Sequence, residues 1–534
     1  MSALSGNLAS GVLGHWDWLV VAAYGVLLLI VGFSTSRRHA RAEDYFLASR
    51  NSRWPAIGMS LLASNISSTA LIGLAGAAYA TGISVYDYEW SAAVILVIFC
   101  VFLLPFVLRS RVYTMPEFLE RRYDARARLY LALLTLFLNI FLDSAGSLYS
   151  GSLVCQLLLP GVPLLLITAT LAGVAGIYTI LGGLRAVIYT ETLQAVVLIG
   201  GATAIAIEAF HRAGGWHAVM TQVDPAALSL IRPIGDAAVP WPGLAFGIPV
   251  LGFYYWCTNQ FIVQRVLSAH DVENGRRGVL LAGLLKLPVL FLMVLPGTCA
   301  ILLYPHLPRA DAVYPTLIFH LLPAGVMGLV VASFIAATMA SVASTLNSAS
   351  TLLTMDIIKR SLPGLSDARL VRIGKFSTSA FLVFAVLWSA RVASFGSLWQ
   401  YLQAVLAYAV PPIVALFGVG LFWRGANAAG AWATLLVGTA CGFGLFLTNV
   451  VFGITHLHFL YVAPLLLVID VAVLAIASYA MRRAGGPNID ALMFTSAALR
   501  EDSRQLEDVP LWRNYRFQAL LLLALTACIV WMFR

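Results

Sequence analysis

Long apolar stretches alternate with short polar segments along almost the whole chain. A helix of about twenty apolar residues can cross the hydrocarbon core of a bilayer, and fourteen stretches of that kind can be counted. They are residues 15–34, 54–80, 85–108, 128–156, 161–182, 187–209, 242–264, 277–304, 314–356, 373–390, 396–422, 427–450, 458–481 and 514–533. The pattern predicts an all-α polytopic membrane protein with about 14 transmembrane helices. The stretch 314–356 exceeds one simple crossing, so we expect it to tilt or to continue past the membrane on one side.

The second apolar stretch is interrupted near its centre. Five of the six residues from Ser64 to Thr69 carry polar side chains, which do not suit a lipid-facing helix at that depth. Non-helical backbone occurs within a membrane only where protein or a water-filled cavity covers it. In secondary transporters, interrupted helices supply the free backbone groups that hold ion and substrate. The alternative interpretation is a Ser/Thr-rich face that packs against neighbouring helices.

The seventh stretch, 242–264, carries a second interruption signal. Pro249 removes a backbone donor, and Gly252 weakens the helix shortly afterwards. The two interrupted stretches are five apart, so they cross the membrane in opposite directions. Interrupted helices at corresponding positions of two inverted halves indicate the binding site of a transporter. We expect core repeats at about 54–209 and 242–422, and extra helices at 15–34, 427–450, 458–481 and 514–533.

Charge is scarce and lies mainly on one side of the predicted membrane. The chain is 60% hydrophobic and 11% charged, with a formal net charge of +9. If the connections alternate sides, 27 of the 33 Lys and Arg residues fall on one side, including Arg185 in the predicted GGLR turn. The positive-inside rule makes that side cytoplasmic and places both termini outside. The positive charge therefore reflects membrane topology and gives no reason to expect nucleic-acid binding.

The cysteines and the first apolar stretch do not change this interpretation. Each of the six Cys residues lies in or beside an apolar stretch, and none forms a CxxC motif. They are expected to be small apolar residues rather than disulfides or metal ligands. Residues 15–34 are too long for the apolar region of a cleavable leader and precede an Arg-rich loop, which favours a true span. We expect a single membrane domain over residues 1–534.

Three polar side chains within the predicted spans suit a hydroxylated solute. Lys286 lies nine residues beyond Arg277, and a lysine near the bilayer centre costs roughly 2.5–3.5 kcal/mol unless it faces a cavity or a partner. Glu89 lies early in the third span, and Gln403 lies one turn beyond Trp399. A carboxylate, an ammonium and an amide together offer the donors and acceptors that hydroxyls need. For Lys286, the alternatives are a structural ion pair or a neutral lysine. For Glu89 the alternative is an interfacial carboxylate, and for Gln403 it is a lone amide without a binding role.

Aromatic and amide side chains add further candidate contacts. Tyr88, Tyr255, Trp256 and Trp399 can stack on a solute or close its pocket, although aromatic residues are also common in membrane packing. Asn65, in the middle of the interrupted second stretch, can contribute hydrogen bonds to the same solute.

Acids and hydroxyls within other spans are candidates for an ion site. Glu191 and Asp143 can serve a cation or proton path, or can form polar packing pairs. Ser341 and Ser344 place hydroxyls on one span, and small hard cations prefer oxygen ligands. Small-residue helix packing explains the same two serines equally simply. Asp470 has no recognisable partner and receives no role.

A set of motifs resembles the solute:sodium symporter family, and within it the bacterial sodium/galactose and animal sodium/glucose cotransporters. The motifs are ASNIS at 63–67, YEW ending at Trp90, YTMPEFLERRY at 113–123, GGLRAVIYTETLQ at 182–194, YYW and NQFIVQR at 254–265, LLKL at 284–287, ASVASTLNSASTLLTMDI at 340–357, and QYLQ followed by PP at 400–412. They extend over most of the chain from residue 15 to about residue 480.

The resemblance implies a LeuT-type inverted five-plus-five repeat and sodium-coupled uptake by alternating access. The implied sodium ligands are the backbone oxygens of Ala63, Ile66 and Ala337 and the hydroxyl of Ser341. The family usually has a second hydroxyl directly before that serine, where this chain has Ala340, which implies either a weaker site or one rebuilt with water or Thr338. A family Asp is Glu191 here, and Glu191, Ser344 and Asp143 remain candidates for a second cation or proton site.

The resemblance also implies a solute pocket with two gates. The matching positions are Glu89, Lys286 and Gln403 for sugar contacts, Tyr255 with its neighbour Trp256 for the inner gate, and Leu74, Tyr88 and Trp399 for the outer gate. Three polar family positions are Ala70, Gly252 and Ala92 here, which suggests a different or larger solute than galactose, such as a polyol, an inositol, a substituted sugar or a nucleoside.

We therefore expect a sodium-driven symporter for a sugar or sugar-like polyol in a bacterial inner membrane, with sodium, the solute and the lipid bilayer as its partners. The solute is expected between spans 2, 3, 7, 8 and 11. Two alternatives remain: a proton- or sodium-coupled importer of a non-sugar solute, and a solute sensor on the same fold. No metal cluster or nucleophile triad favours an enzyme, and no feature indicates an obligate protein partner.

Overall fold

The computed structural model describes residues 13–35, 46–66, 68–159, 161–307, 310–392, 398–481 and 489–534. Within these ranges the protein is helical, and its only β interactions are two isolated bridges. The helices up to residue 267 are α1 (His15–Thr35), α2 (Trp54–Asn65), α3 (Ser68–Thr81), α4 (Ile83–Arg109), α5 (Met115–Arg122), α6 (Ala125–Gln156), α7 (Leu164–Arg212), α8 (Gly215–Gln222), α9 (Gly243–Thr258) and α10 (Gln260–Leu267).

The second half is built in the same way. Its helices are α11 (Val272–Leu303), α12 (Val313–Leu321), α13 (Val326–Ser361), α14 (Asp367–Val392), α15 (Leu398–Ala409), α16 (Pro411–Phe422), α17 (Ala428–Val451), α18 (Phe459–Ala480), α19 (Ser496–Gln505) and α20 (Tyr515–Met532). Several of the long helices contain wide π-helical segments, among them Leu138–Ser144 of α6 and Tyr254–Thr258 of α9.

Among the described residues, nine helices are long and apolar enough to cross a membrane, and up to eleven if two sharply bent pairs count as spans. The prediction of a polytopic all-α membrane protein is confirmed. The number of fourteen crossings stays a prediction, because several predicted spans are short, bent or only partly described.

The predicted interruption of the second span lies between α2 and α3. The two helices meet at an angle of 60°, and Ile66 leaves the helical conformation with φ −80° and ψ 79°. The amide of Ile66 still donates to the carbonyl oxygen of Leu62, so the chain departs from the helix directly after this bond. Both halves are largely buried inside the protein, which satisfies the condition for broken backbone at membrane depth.

The seventh span is also interrupted, but the predicted position of its break was wrong. Pro249 and Gly252 lie within α9, and the break falls at Asn259, whose backbone is extended at φ −67° and ψ 125°. The Asn259 side chain accepts from the amide of Phe261 and caps α10. Pro249 follows the π segment Gly243–Gly247 closely, at the start of the regular α-helical part Ile248–Phe253, and α9 continues through it.

The long stretch 314–356 consists of two helices. α12 ends at Leu321, and α13 begins at Val326 after a turn in which Gly325 has φ +85°. The excess length is thus explained by a short separate helix before the span, together with an extension of α13 to Ser361. Whether α13 tilts or continues past the membrane on one side stays a prediction.

The predicted spans 161–182 and 187–209 both lie within α7, and the GGLR segment predicted as a turn is helical. Thr168 near one end bonds to Ser152, and Arg212 at the other end donates to the carbonyl oxygens of His320 and Leu321. Ile188 between them packs against Ala48.

The segments rich in arginine meet at one face, which we call the inner face. Arg50 donates to the carbonyl oxygens of Arg111 and Val112, and Arg122 donates to those of Gly420, Trp423 and Ala426. At the opposite, outer face, Asp17 accepts from the amides of Gly325 and Gly328, and the carbonyl oxygen of Phe533 accepts from Leu230. Leu13 and Phe533, near the two ends of the described chain, belong to one buried apolar cluster.

Helix α19 is held at the inner face by Asp502. This carboxylate pairs with Arg276 at 2.7 Å and with Arg516 at 2.7 Å, and it accepts from the hydroxyl of Tyr515 at 2.6 Å. Burial alone would raise the pKa of Asp502, but the hydrogen bond from Tyr515 and the charge of Arg276 outweigh it and lower the pKa below its usual value. The charged carboxylate is therefore stabilised by folding.

We expect a pair of single cysteines to reveal the two faces. Gln222 ends α8 at the outer face, Gln505 ends α19 at the inner face, and both are exposed. In a background where Cys441 and Cys528, the two cysteines that are not buried, are serine, a membrane-impermeant maleimide should label Gln222→Cys in intact cells. Gln505→Cys should react only after permeabilisation. Equal labelling of both in intact cells would contradict the assignment of opposite faces.

The Asp502 cluster predicts a pH-dependent loss of stability. Asp502→Asn should lower the free energy of unfolding by about 2 kcal/mol at pH 7, because hydrogen bonds to the charged group are lost. Since the folded pKa is depressed, the difference from the parent should persist down to about pH 4 and disappear below it. Thermal unfolding in detergent measures this, with Asp490→Asn in the exposed pair with Arg424 as the control. A difference that is independent of pH would refute the electrostatic explanation.

Candidate functional site

A cavity of about 120 Å³ opens beside the break between α2 and α3. Helices α2, α3, α4, α6, α9 and α15 form its wall. The lining residues are Asn65, Thr69, Ala70, Tyr88, Glu89, Leu142, Asp143, Ser147, Ile248, Leu251, Gly252, Tyr255, Trp256, Leu402, Gln403 and Leu406. The cavity therefore brings together side chains that lie more than 300 positions apart in the sequence.

A buried cluster of Lys286, Glu89 and Asn65 lies at this wall. The ammonium of Lys286 lies 2.5 Å from Oε2 of Glu89 and donates to Oδ1 of Asn65. Lys286 is 1% exposed and Glu89 4%, so neither charge is solvated by bulk water. Trp256 supplies a further contact, with its ring centroid 5.2 Å from the ammonium.

The predicted pocket role of Lys286 is thus indirect in this conformation. Glu89 and Asn65 line the cavity, whereas Lys286 is not among the residues of the cavity lining. Lys286 pairs with the carboxylate of Glu89 and neutralises its charge. Replacing one partner of a buried ion pair leaves an uncompensated charge, which costs about 3–5 kcal/mol. Lys286 therefore fixes the position and the charge state of the carboxylate that a solute would meet.

Asn65 couples the helix break to α9. Its side-chain amide nitrogen donates to the hydroxyl of Tyr255 at 3.0 Å, while its oxygen accepts from Lys286. Tyr255 packs edge-on against Trp256 and Phe261, at centroid distances of 5.2 and 5.5 Å. A movement of Tyr255 would therefore break or displace its hydrogen bond with Asn65 at the end of α2.

The other predicted pocket and gate residues divide into three groups. Tyr88 and Gln403 line the cavity, as do the substituted positions Ala70 and Gly252. A Cβ at Gly252 would lie 2.2 Å from Cδ1 of Ile95, so the glycine is required for the approach of α9 to α4. Leu74 and Ala92 are buried in apolar clusters away from the lining, and the side chain of Trp399 lies outside the described ones.

The predicted sodium ligands converge on the same break. Ser341 of α13 is 4% exposed, and its hydroxyl lies 3.5 Å from the carbonyl oxygen of Ser64 in the last turn of α2. Ala63, Ile66 and Ala337 are all buried. The last carbonyls of a helix have no partner within it, so α2 presents oxygen ligands towards Ser341.

The three candidates for a second ion site do not share one location in the described structure. Asp143 lines the solute cavity. Ser344 is buried, and its hydroxyl donates to the carbonyl oxygen of Ala340 in its own helix. The side chain of Glu191 lies outside the described ones. Thr338, the possible substitute for the missing hydroxyl, donates to Phe334 within α13.

The sequence did not point to two polar residues of the cavity wall and one acid nearby. Thr69 and Ser147 line the cavity, and Ser147 could have been found because it lies one helical turn after Asp143. Asp87 is fully buried two residues before Glu89 and accepts from the indole nitrogen of Trp90 at 2.7 Å. Nothing in the sequence pattern distinguishes Asp87 from an interfacial acid.

The Lys286–Glu89 pair makes a prediction about stability. Lys286→Met should lower the free energy of unfolding by about 3–5 kcal/mol, because Glu89 is left buried without its counter-charge. The double variant Glu89→Gln, Lys286→Met should recover most of that loss. Thermal unfolding in detergent is the measurement, and Lys359→Met, which removes only a cation–π contact with Tyr113 at 5.4 Å, should cost about 1 kcal/mol or less. A double variant as unstable as the single would overturn the role of the pair.

Comparison with known proteins agrees with this geometry. The sodium:solute symporter family model matches residues 45–438. The chain is 34% identical to sodium/glucose cotransporter 4 of Danio rerio, over 92% of this chain and 83% of the relative. It is also 34% identical to a sodium/mannose cotransporter of Bos taurus, over 80% of this chain and 78% of the relative.

A solved structure shares the fold. The outward-open, substrate-bound structure of a sodium-coupled sialic acid symporter superimposes with a TM-score of 0.78 at 23% identity, covering 88% of this chain and 98% of the other. Two interrupted helices five predicted spans apart agree with the LeuT-type architecture expected from the sequence. The chain belongs to the sodium:solute symporter family and is therefore a multi-pass membrane transporter that uses sodium as its coupling ion.

Proposed function

We propose that this protein imports a sugar or a sugar-like polyol together with sodium by alternating access. The observation that carries the proposal is the break between α2 and α3. Residues 63–66 contribute to the candidate sodium site, and residues 65, 69 and 70 line the cavity. One short segment is thus shared by the ion and the solute, which is what coupling of the two requires.

The cavity wall suits a hydroxylated solute. Glu89 offers acceptors, and Asn65, Gln403, Thr69 and Ser147 offer amide or hydroxyl groups. Tyr88, Tyr255 and Trp256 supply aromatic surface, and leucine and isoleucine side chains complete the wall. Relatives named for glucose and mannose transport support a sugar as the cargo. Small residues at positions 70 and 252 leave room for a substituent.

The proposed sodium ligands are the backbone oxygens of Ala63, Ile66 and Ala337 and the hydroxyl of Ser341. Sodium bound there would fix the end of α2 against α13 and thereby hold Asn65 in place to meet the solute. One sodium ion moving inward gains about 2.3 kcal/mol per 100 mV of membrane potential. This energy can drive accumulation of a neutral solute.

Gating is proposed at the two ends of the cavity. Tyr255 closes the inner side through its hydrogen bond with Asn65, and Leu74, Tyr88 and Trp399 close the outer side. Breaking the bond between Asn65 and Tyr255 would open the path towards the inner face. Two inverted repeats, at about 54–209 and 242–422, would rock against each other during this change.

The proposed location is a bacterial inner membrane, with both termini on its outer side. The arginine-rich inner face supports this orientation through the positive-inside rule. Proton coupling is the second candidate, because Ala340 removes a usual sodium ligand and Asp143 is a titratable group at the cavity. Glu191, Ser344 and Asp143 stay candidates for a second cation or proton site.

Uptake into proteoliposomes tests the proposed function. An inward sodium gradient should drive accumulation of at least one solute from a panel of labelled sugars and polyols, and a matched potassium gradient should not. Ser341→Ala should raise the sodium concentration for half-maximal uptake about tenfold, a loss comparable with one hydrogen bond to a charged group.

The matched control is Ser377→Ala, whose hydroxyl donates only to Ile373 within α14. Its sodium dependence should stay within twofold of the parent. An unchanged sodium dependence in Ser341→Ala would exclude the proposed ligand, and accumulation driven by a pH gradient without sodium would favour proton coupling.

A further inference from the structure

Asp143 is a charged group of the cavity wall that nothing in the described chain satisfies. It lies in the π-helical segment Leu138–Ser144 of α6, is half-buried and has neither a hydrogen bond nor an ion pair among the described residues. π segments are frequent at functional sites, since the extra residue turns side chains away from the regular helical face. From the sequence, Asp143 is a candidate for an ion path, and the solute is expected between spans 2, 3, 7, 8 and 11, which do not include the span that carries Asp143.

The charge of the cavity is unbalanced. Of its described lining residues, only Glu89 and Asp143 have carboxyl side chains, and no lining residue is basic. Lys286 neutralises Glu89 at 2.5 Å, which leaves Asp143 without a counter-charge. Its surroundings in the wall include Leu142 and Leu402. An unpaired carboxylate beside apolar side chains is costly unless a cation joins it.

The wall around Asp143 fits an ammonium group better than a bare metal ion. An ammonium donates three hydrogen bonds, and the carboxylate, the hydroxyl of Ser147 and the amide oxygen of Gln403 are acceptors in the same wall. The rings of Tyr255 and Trp256 add surfaces that attract cations. A cavity of about 120 Å³ is several times the roughly 30 Å³ that one water occupies, so it admits an organic group.

We propose that Asp143 selects a solute that carries a protonated amine, so that the preferred cargo is an amino sugar or an amino-substituted polyol. The inference rests on the proposed function, because it uses the same cavity. Asp143 is the specificity-determining residue and binds the ammonium directly. Glu89, held by Lys286, takes hydroxyls of the same solute.

Competition among matched sugars tests this specificity. Binding to the purified protein in sodium is measured for glucose, for its 2-, 3- and 6-amino-deoxy analogues, and for their N-acetyl derivatives, which keep the skeleton without the charge. At least one amino sugar should bind about tenfold more tightly than glucose, as expected for a charge-assisted hydrogen bond. Its N-acetyl derivative should lose that advantage. If every amino sugar binds no better than glucose, the inference is wrong.

Variants of the wall locate the effect. Asp143→Asn should bring the preference for the amino sugar over glucose, measured as the ratio of the two dissociation constants, to within twofold of one. Gln403→Glu, which adds a third carboxylate to the wall beside Glu89 and Asp143, should increase the preference and gives an independent measurement if Asp143→Asn does not fold. Glu208→Gln, in an exposed pair with Arg212 at the outer face, is the control and should keep the parental preference. A preference that persists in Asp143→Asn would assign the amine to another group.

The same variants distinguish amine recognition from two other roles of Asp143, as a ligand of a second cation and as a proton site. The titratable groups that act on it from the neighbouring helix are Tyr254 and Tyr255 of α9, and Glu89 faces the cavity from α4. If Asp143→Asn changes the sodium dependence or the pH dependence of glucose binding instead of the amine preference, Asp143 is an ion or proton site and the inference fails. Binding to the purified protein is measured without an ion gradient, so the amine preference can be determined even if sodium does not drive uptake. An absence of sodium-driven uptake in proteoliposomes would refute the proposed function alone.

Discussion

The break between Asn65 and Ser68 is the constraint on which the rest of the site depends. A helix that stops inside a membrane leaves carbonyl and amide groups without partners, and such groups cannot face lipid. The protein covers the break with α6 and α13: the hydroxyl of Ser68 donates to the carbonyl oxygen of Ser147 at 3.1 Å, and Ser341 approaches that of Ser64. The need to satisfy backbone groups and the ability to bind a cation and a solute are therefore consequences of one local departure from the helix.

Charges inside the membrane follow the same logic. A lysine near the bilayer centre costs roughly 2.5–3.5 kcal/mol, and Lys286 avoids that cost by contacting an acid, an amide oxygen and an aromatic face. The three contacts come from three different helices, so the lysine also fixes how α2, α4 and α9 sit around α11. Asp143 differs because its partner is not part of the described protein. The paired charges of Lys286 and Glu89 thus fix the positions of the helices in the wall, whereas Asp143 is available to bind the solute.

The inner face shows that its arginines do more than set orientation. Arg122 donates to the carbonyl oxygen of Gly420 in the last turn of α16 and to those of Trp423 and Ala426 after it, and Arg276 holds α19 through Asp502. These contacts tie the helices outside the proposed repeats to those within them. A rocking motion of the core must therefore either preserve the contacts of Arg122 and Arg276 or replace them with others.

Local features of the sequence were enough to identify the class of protein, the interrupted second helix and about half of the residues that line the cavity. Apolar length and polar interruption are local properties, so the segment from Ser64 to Thr69 could be identified without knowing what surrounds it. The resemblance of several motifs then selected Glu89, Gln403 and Tyr255, which the fold does bring to one cavity. The break in the seventh span was expected, but α9 continues through Pro249 and the break lies at Asn259.

Which polar groups become partners depends on how the helices pack. Lys286 could be placed at membrane depth by counting residues, yet its contacts with Glu89 and Asn65 arise because three helices distant in sequence meet there. Asp143 resembled any acid within a span until the packing of α6 beside α9 and α15 turned it into the cavity. The free-energy cost of burying a charge depends on the residue type and on its depth in the membrane, and both can be read from the sequence. The partner that offsets this cost comes from a distant part of the chain, so it is known only once the helices are packed.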